Sequence, residues 1–486
     1  MGARPAHHDE GMLAYFAHQL IASKSYNYTP QIHGPILFYL TAIFLKFSQS
    51  AAAIRVSTAS CSVILGLAAL LYFRKESKFI AYSVATMLLI SPLLIYFSRF
   101  LVHTSIVILF NFCFVLSLRN FFKSFKPIHL FLSAAFLGLA FGTSETSYIF
   151  VAVLVLFIPV FLIFNKKTFV SFWRKTIDFC RKNIFDLLSA VLIFAIVWLM
   201  VYSVGLTNLE SFRISLPNPF DPTSGLGFWL KQNPVRLGGQ PWFYYIMLAV
   251  VYELPALVAF LVYLPRVFAG RKPFELFLVW WTVGSFIGYS WAGEKFPWLF
   301  LPSLLPLTVA SGYFLGKYWT SSKRFLQIIF VVLLLWTIFV GVRLNYFGSY
   351  DTRELPVYVQ TPKDFEQLEK TMKKTCQGKS IQCIVVDAKI TWPLAWDFNQ
   401  ISRLEDFTTN SQIPGETEYL LVDPGSTSPA NLEEKYTKRQ VQLRDWWVPT
   451  KYKDSDSISD YINYFLYRKI WNDKGGFDIN FYEKKK

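Results

Sequence analysis

Charge is scarce in this chain. Asp, Glu, Lys and Arg make up 16% of 486 residues, against 53% hydrophobic and 18% aromatic. Five cysteines are too few for a disulfide framework to replace a core. A Gly-rich phosphate loop, a Ser-His-Asp pattern, an internal repeat, a low-complexity tract and a signal peptide are all lacking. Acid is scarcest in the first part: residues 1–345 hold 28 Lys/Arg against 11 Asp/Glu, whereas residues 346–486 hold 20 against 21. The net charge of +16 therefore belongs to the first part, and no nucleic-acid partner is needed to explain it.

What the first part does have is long apolar runs. Runs of roughly 18–22 residues cross a hydrocarbon core of about 30 Å, so the chain reads as an α-helical polytopic membrane protein embedded in a lipid bilayer. Ten spans are expected, at 56–73, 79–97, 104–122, 128–143, 146–164, 184–206, 241–264, 274–290, 297–317 and 325–345. Eighteen basic residues concentrate in alternate connections: Arg74, Lys75, Lys78; Arg119, Lys123, Lys126; Lys166, Lys167, Arg174, Lys175, Arg181, Lys182; Arg266, Arg271, Lys272; Lys317, Lys323, Arg324. Basic loops face the cytoplasm, which places the first 55 residues and the tail outside the plasma membrane.

Three regions follow. Residues 1–55 read as an outer-face loop with two short interfacial helices, one after the acidic pair and one at Ile36–Phe47, too short to span. Residues 56–345 carry the spans. Residues 346–486 read as an extracytoplasmic α/β domain, with helices at Lys363–Lys374 and Ser457–Lys469 and strands at Ile381–Val386 and Tyr419–Val422. Cys376 and Cys383 either bridge there or remain two free thiols.

Candidate chemistry gathers on the outer side. Asp9-Glu10 offers a carboxylate able to take a proton from an attacking hydroxyl, with a second acid beside it; a solvated acid pair is the alternative. His7, His8, Asp9 and His33 would also suit a divalent zinc or manganese ion, but the spacing matches no strong metal motif and no metal site is assigned. Short outer loops carry Arg99 and His103, then Glu145, then Glu294 and Lys295; the long loop 207–240 carries Arg236. Arg99 and Lys295 suit a phosphate, and His33, held by Gly34-Pro35, could donate to one; each is otherwise an interfacial anchor. Glu253 lies within an apolar run, either as a functional group or as the partner of a tyrosine. Trp392, Trp396, Trp446 and Trp447 either stack on sugars or, the more common role, pack a core or rest on the membrane.

These residues also carry a resemblance. Gly2-Ala3-Arg4-Pro5…His8-Asp9-Glu10 with His33-Gly34-Pro35 resembles the start of the flippase-activity-associated family of archaeal and bacterial membrane proteins. So do Tyr96-Phe97-Ser98-Arg99-Phe100, Gly239-Gln240-Pro241-Trp242…Tyr252-Glu253, Gly293-Glu294-Lys295…Pro297-Trp298 and Tyr358-Val359-Gln360-Thr361…Trp392-Pro393-Leu394. That family is similar to the GT-C glycosyltransferases, among them protein O-mannosyltransferases and the lipid A aminoarabinose transferase. The resemblance implies a GT-C fold and transfer of a sugar from a polyprenyl-phosphate (dolichyl or bacterial) carrier to a glycan, lipid or protein. It makes Asp9 the acid of the first outer loop, with Glu10 and His8 beside it and Arg99, Lys295 and His33 on the phosphate. A flippase or flippase accessory that handles the lipid-linked sugar without transfer is the other reading. Three departures stand out. Relatives carry a membrane helix before the acidic pair, and here the expected N-terminal span is missing. Val102-His103-Thr104 stands where they have Asp, and Ser144 where they have Lys.

Overall fold

A computed structural model describes residues 4, 6–235, 239–380, 382–398, 402–405, 413, 415–426, 432–449 and 457–485. Among these, six helices are long and apolar enough to cross a membrane: Ala51–Phe73, His103–Ser124, Ser147–Phe164, Ile184–Tyr202, Pro297–Tyr318 and Arg324–Phe347. Two bent pairs raise the count to eight. The other two expected spans correspond to Pro127–Phe141, which is shorter, and Pro273–Trp291, whose first turn holds the buried Glu275. Each of the ten expected spans thus has its helix or bent helix pair, and six to eight of them are long and apolar enough to cross a membrane. The chain is a multi-pass membrane protein.

Both bends have the same cause. Helix Lys78–Ile90 stops at Ser91 because Pro92 lacks an N–H and disfavours helical geometry before it; Pro92–Ser98 then leaves at 61°. Helix Tyr244–Tyr252 stops at Glu253, ahead of Pro255, and Leu254–Gly270 leaves at 102°. The Glu253 carboxylate accepts from Ser91 Oγ at 2.6 Å and Leu93 N at 3.0 Å, so each break is pinned to the other. Its partners are Ser91 and Leu93, so the alternative of a tyrosine partner is not the one the structure takes.

Helix Leu301–Tyr318 runs through the centre of the bundle. Its Gly312 and Gly316, four apart, let the backbone of Lys78–Ile90 approach: a Cβ on either would fall 2.6 Å from Val84 or Ile80 Cα. Ser147–Phe164 and Ile184–Tyr202 bury few side chains and expose Val155, Leu156, Leu188 and Val191, as lipid-facing helices do. Helix Ile36–Leu45 is too short to span, as expected, and buries Leu37 and Phe38 completely.

The tail holds a mixed five-stranded sheet of β1 Ile384–Asp387, β2 Ser402–Glu405, β3 Tyr419–Val422, β4 Tyr436–Trp446 and β5 Gly475–Lys484, in the order β2-β1-β3-β5-β4. Helices Lys363–Cys376 and Ile458–Tyr467 match the expectation, and Cys376 and Cys383 are disulfide-bonded. Glu354 joins the tail to the bundle. Its buried carboxylate takes Tyr252 Oη at 2.6 Å and Arg468 Nε at 2.9 Å, with Arg343 Nε at 3.3 Å.

Candidate active site

The acidic pair begins helix His8–Ser23. His7 caps it, Nδ1 accepting from Asp9 N at 3.0 Å, while Glu10 reaches back to His7 N at 3.0 Å, a reciprocal cap of two donors. The turn of the helix sends the two carboxylates in different directions. Glu10 is fully buried and takes Arg55 Nε at 2.7 Å, Arg55 Nη2 at 2.6 Å and Leu101 N at 2.8 Å. Burial opposes its charge, but the Arg55 guanidinium and the donated hydrogen bonds hold its pKa down at about 2. Glu10 is therefore placed as the anchor of the helix, with no free face for substrate. Asp9 sits at the rim, its side chain about a quarter exposed, 3.0 Å from His8 Nδ1. Burial lowers the His8 pKa to about 4 against the pull of Asp9, so the ring is neutral at pH 7.

His7, His8 and Asp9 bring ligand atoms within 4.8 Å of one another. The donor set does not fit a metal ion. Burial holds the His7 ring neutral, Nδ1 accepts from Asp9 N and Nε2 donates to Tyr358 O at 2.8 Å, which leaves His7 no lone pair to give. Two ligands remain.

A second cluster centres on Glu145. His33 Nδ1 meets Glu145 Oε2 at 2.6 Å, and Tyr28 Oη donates to Oε1 at 2.5 Å. Burial, then the Glu145 charge, raises the Tyr28 pKa, so the phenol stays a donor. His33 is stacked on Trp229 at 5.2 Å and lies edge-on to His103 at 4.7 Å. Its backbone, at φ 64° and ψ −169°, occupies a region otherwise left to glycine. Gly34 follows because its backbone lies on the end of Pro127–Phe141: a Cβ there would be 2.2 Å from Gly142 O. The chain thus holds His33 in strain with its ring fixed by Glu145 and about a quarter of the side chain exposed.

Residues 99–103 join the clusters. Arg99 O accepts from Arg4 at 3.1 Å, Leu101 N binds Glu10, and His103 meets His33. The Arg99 side chain itself turns to Asn345, bonded to its side-chain and backbone oxygens, and lies over Tyr346 at 5.2 Å. Lys295 is buried, donates to Ala292 O at 2.7 Å, and burial lowers its pKa. Its loop reaches the site through Trp298, 5.9 Å from His7; the half-buried Glu294 lies within electrostatic reach of Tyr245. Glu253 lies apart, at the crossing of the bends, and Arg236 falls outside the described residues.

Sequence reasoning missed Arg55, Tyr28, Trp229 and Arg444. Arg444, on β4, comes close enough to Asp9 for their charges to interact. The tail seats itself there: Trp392 packs on Tyr15 at 5.2 Å and Phe16 at 6.0 Å, and Pro393 fills the space left by Gly11. Trp396 and Trp447 are buried, Trp447 stacked on Tyr464 at 4.9 Å; they pack a core.

No family model and no curated protein matches the chain. Among solved structures, ArnT from Cupriavidus metallidurans in the apo state aligns with TM-score 0.57 at 13% identity, covering 82% of this chain and 80% of that one. ArnT from the same organism bound to undecaprenyl phosphate aligns with TM-score 0.55 at 13% identity, covering 82% and 81%. The fold is ArnT-like. The likeness extends over about four fifths of each chain.

Proposed function

We propose that the chain is a GT-C-type membrane glycosyltransferase that moves a sugar from a polyprenyl-phosphate carrier to an acceptor hydroxyl at the extracytoplasmic face. The placement of Asp9 carries the proposal: a carboxylate at the rim of a rigid helix start, its neighbour Glu10 locked beneath it. Asp9 takes the acceptor proton as the hydroxyl oxygen bonds to the anomeric carbon. The carbon–phosphate oxygen bond breaks on the opposite side, inverting the centre, and the electron pair leaves with polyprenyl phosphate. Holding the two reactants in line supplies much of the rate. His33, oriented by Glu145 and lying edge-on to His103, donates to the phosphate. The undecaprenyl phosphate bound to the ArnT-like neighbour supports a carrier of that class.

Residues 1–55 carry the site, 56–345 the membrane domain and 346–486 the outer domain in this reading. Alternating basic loops and the Cys376–Cys383 bond support that orientation, since disulfides persist in oxidising compartments. The flippase reading depends on Glu253, and its commitment to Ser91 and Leu93 favours transfer instead. Transfer of a labelled sugar from polyprenyl phosphate by the purified chain, with Asp9→Asn as control, tests the proposal; equal rates would sink it.

A further inference from the structure

We propose that helix Ile458–Tyr467 of the tail is a lipid-seated foot, its free apolar face lying in the bilayer leaflet on the tail's side and holding the tail against the membrane. The helix start is capped in both directions: Ser457 Oγ accepts from Asp460 N at 3.3 Å, and the Asp460 carboxylate accepts from Ser457 N at 3.0 Å. One face turns inward. Tyr464 is buried, stacks on Trp447 and donates to Arg353 O at 2.8 Å, next to Glu354. Arg468, just past the helix end, donates to the Glu354 carboxylate itself. The outward face is divided. Ile458, Ile462 and Leu466 recur at every fourth residue, which puts them in one row, and they are 80%, 52% and 47% exposed. Beside that row runs a polar one, Ser459 and Asn463, with Asn463 Nδ2 donating to Ser459 Oγ at 3.3 Å. Single exposed apolar residues are ordinary on a water-facing surface, whereas a contiguous apolar row rimmed by polar residues marks a partner.

Phe465 fixes where the row lies. Its ring is 6.4 Å from that of Trp336, on helix Arg324–Val342, which belongs to a stretch long and apolar enough to span the membrane. Trp336 precedes Arg343, the first charge after the apolar run, by seven residues, or about 10 Å along a helix. An interfacial amphipathic helix buries its apolar face to a comparable depth. The same span exposes Val332, Leu335 and Phe339, as a lipid-facing helix does. At the other flank Tyr461 meets Phe243 at 6.0 Å, and the adjoining Trp242 is 68% exposed, the placing of an aromatic at a membrane interface. The acyl chains around the span therefore continue onto Ile458, Ile462 and Leu466, while Ser459 and Asn463 stay on the water side. Lipid on one face and the Glu354 ion pairs on the other then set the position of the tail over the bundle. The seat depends on the membrane fold and not on the reaction.

The test uses the full-length protein in phosphatidylcholine vesicles, carrying Cys61→Ala, Cys113→Ala and Cys180→Ala with the Cys376–Cys383 bond intact. A nitroxide is attached at Ile462→Cys or at Ser459→Cys. Its collisions are measured with oxygen, which partitions into lipid, and with a nickel chelate, which stays in water. The ratio of oxygen to chelate collisions is expected to be severalfold higher at Ile462→Cys than at Ser459→Cys. Equal ratios would put the apolar row in water and overturn the proposal. Exclusion of both reagents from Ile462→Cys would mean a protein cover, a second copy where the spectrum also broadens by spin–spin coupling, and would overturn it as well. Should the labelled chain fail to fold, p-benzoylphenylalanine at position 462 of the otherwise native chain is photolysed in the same vesicles. A covalent lipid adduct in the mass spectrum is then expected, and protein free of adduct overturns the proposal.

Discussion

Glu10→Gln removes one charge from a buried pair and takes the Glu10 carboxylate's charge away from the buried Arg55 guanidinium. Breaking such a pair typically costs 3–5 kcal/mol. The carboxylate's own displacement gives a similar figure: from 4.5 to about 2 corresponds to roughly 3 kcal/mol. Spread over an unfolding entropy of about 1 kcal/mol/K for a chain of this length, the loss lowers Tm by about 3–5 °C. The sign with pH is fixed. Because the folded pKa is depressed, the stabilisation is complete above 4.5 and is lost as pH falls from there through 2. Thermal unfolding of the detergent-purified variant at pH 7 reads the effect. Pairing Glu10→Gln with Arg55→Met should recover most of it, since the stranded charge goes too. A Glu10→Gln protein as stable as wild type at pH 7 would refute the view that Glu10 is an anchor.

At position 33 the usual order of residues should invert. His33→Gly is expected to be more stable than His33→Ala by about 1–3 kcal/mol, because only glycine occupies that backbone region without strain; calorimetry of the two variants decides it. Glu354→Gln should loosen the tail by stranding Arg468 and Arg343, visible as faster cleavage beyond residue 350 in limited proteolysis. Maleimide labelling of the denatured protein should modify three cysteines without reductant, Cys61, Cys113 and Cys180, and all five with it. Five labelled without reductant would contradict the bond.

The apolar runs made the bundle legible, because length and hydrophobicity are written locally. The breaks were not. Ser91-Pro92 and Glu253-Leu254-Pro255 sit inside runs that read as continuous, and what fixes them is a hydrogen bond across 162 residues. Glu253 was noticed because an acid among apolar residues is expensive; the same logic applied to Arg55, which the expected span at 56–73 left just outside. Moving that edge by a few residues would have asked for Arg55's partner and found Glu10. β4 escaped notice because Thr437-Lys438-Arg439-Gln440 is polar and exposed, as a charged edge strand is, so alternation never showed. Asp9, His33 and Glu145 could be read from short polar segments, whereas Arg444 reaches the site only through the seating of the tail.

The account turns on Asp9. Purified full-length protein is given a labelled sugar on polyprenyl phosphate and a hydroxyl acceptor, beside Asp9→Asn at equal folded concentration. The account predicts transfer by the wild type and a loss of about a hundredfold or more in kcat for the variant, the range of a missing general base. Transfer by Asp9→Asn at the wild-type rate would contradict it.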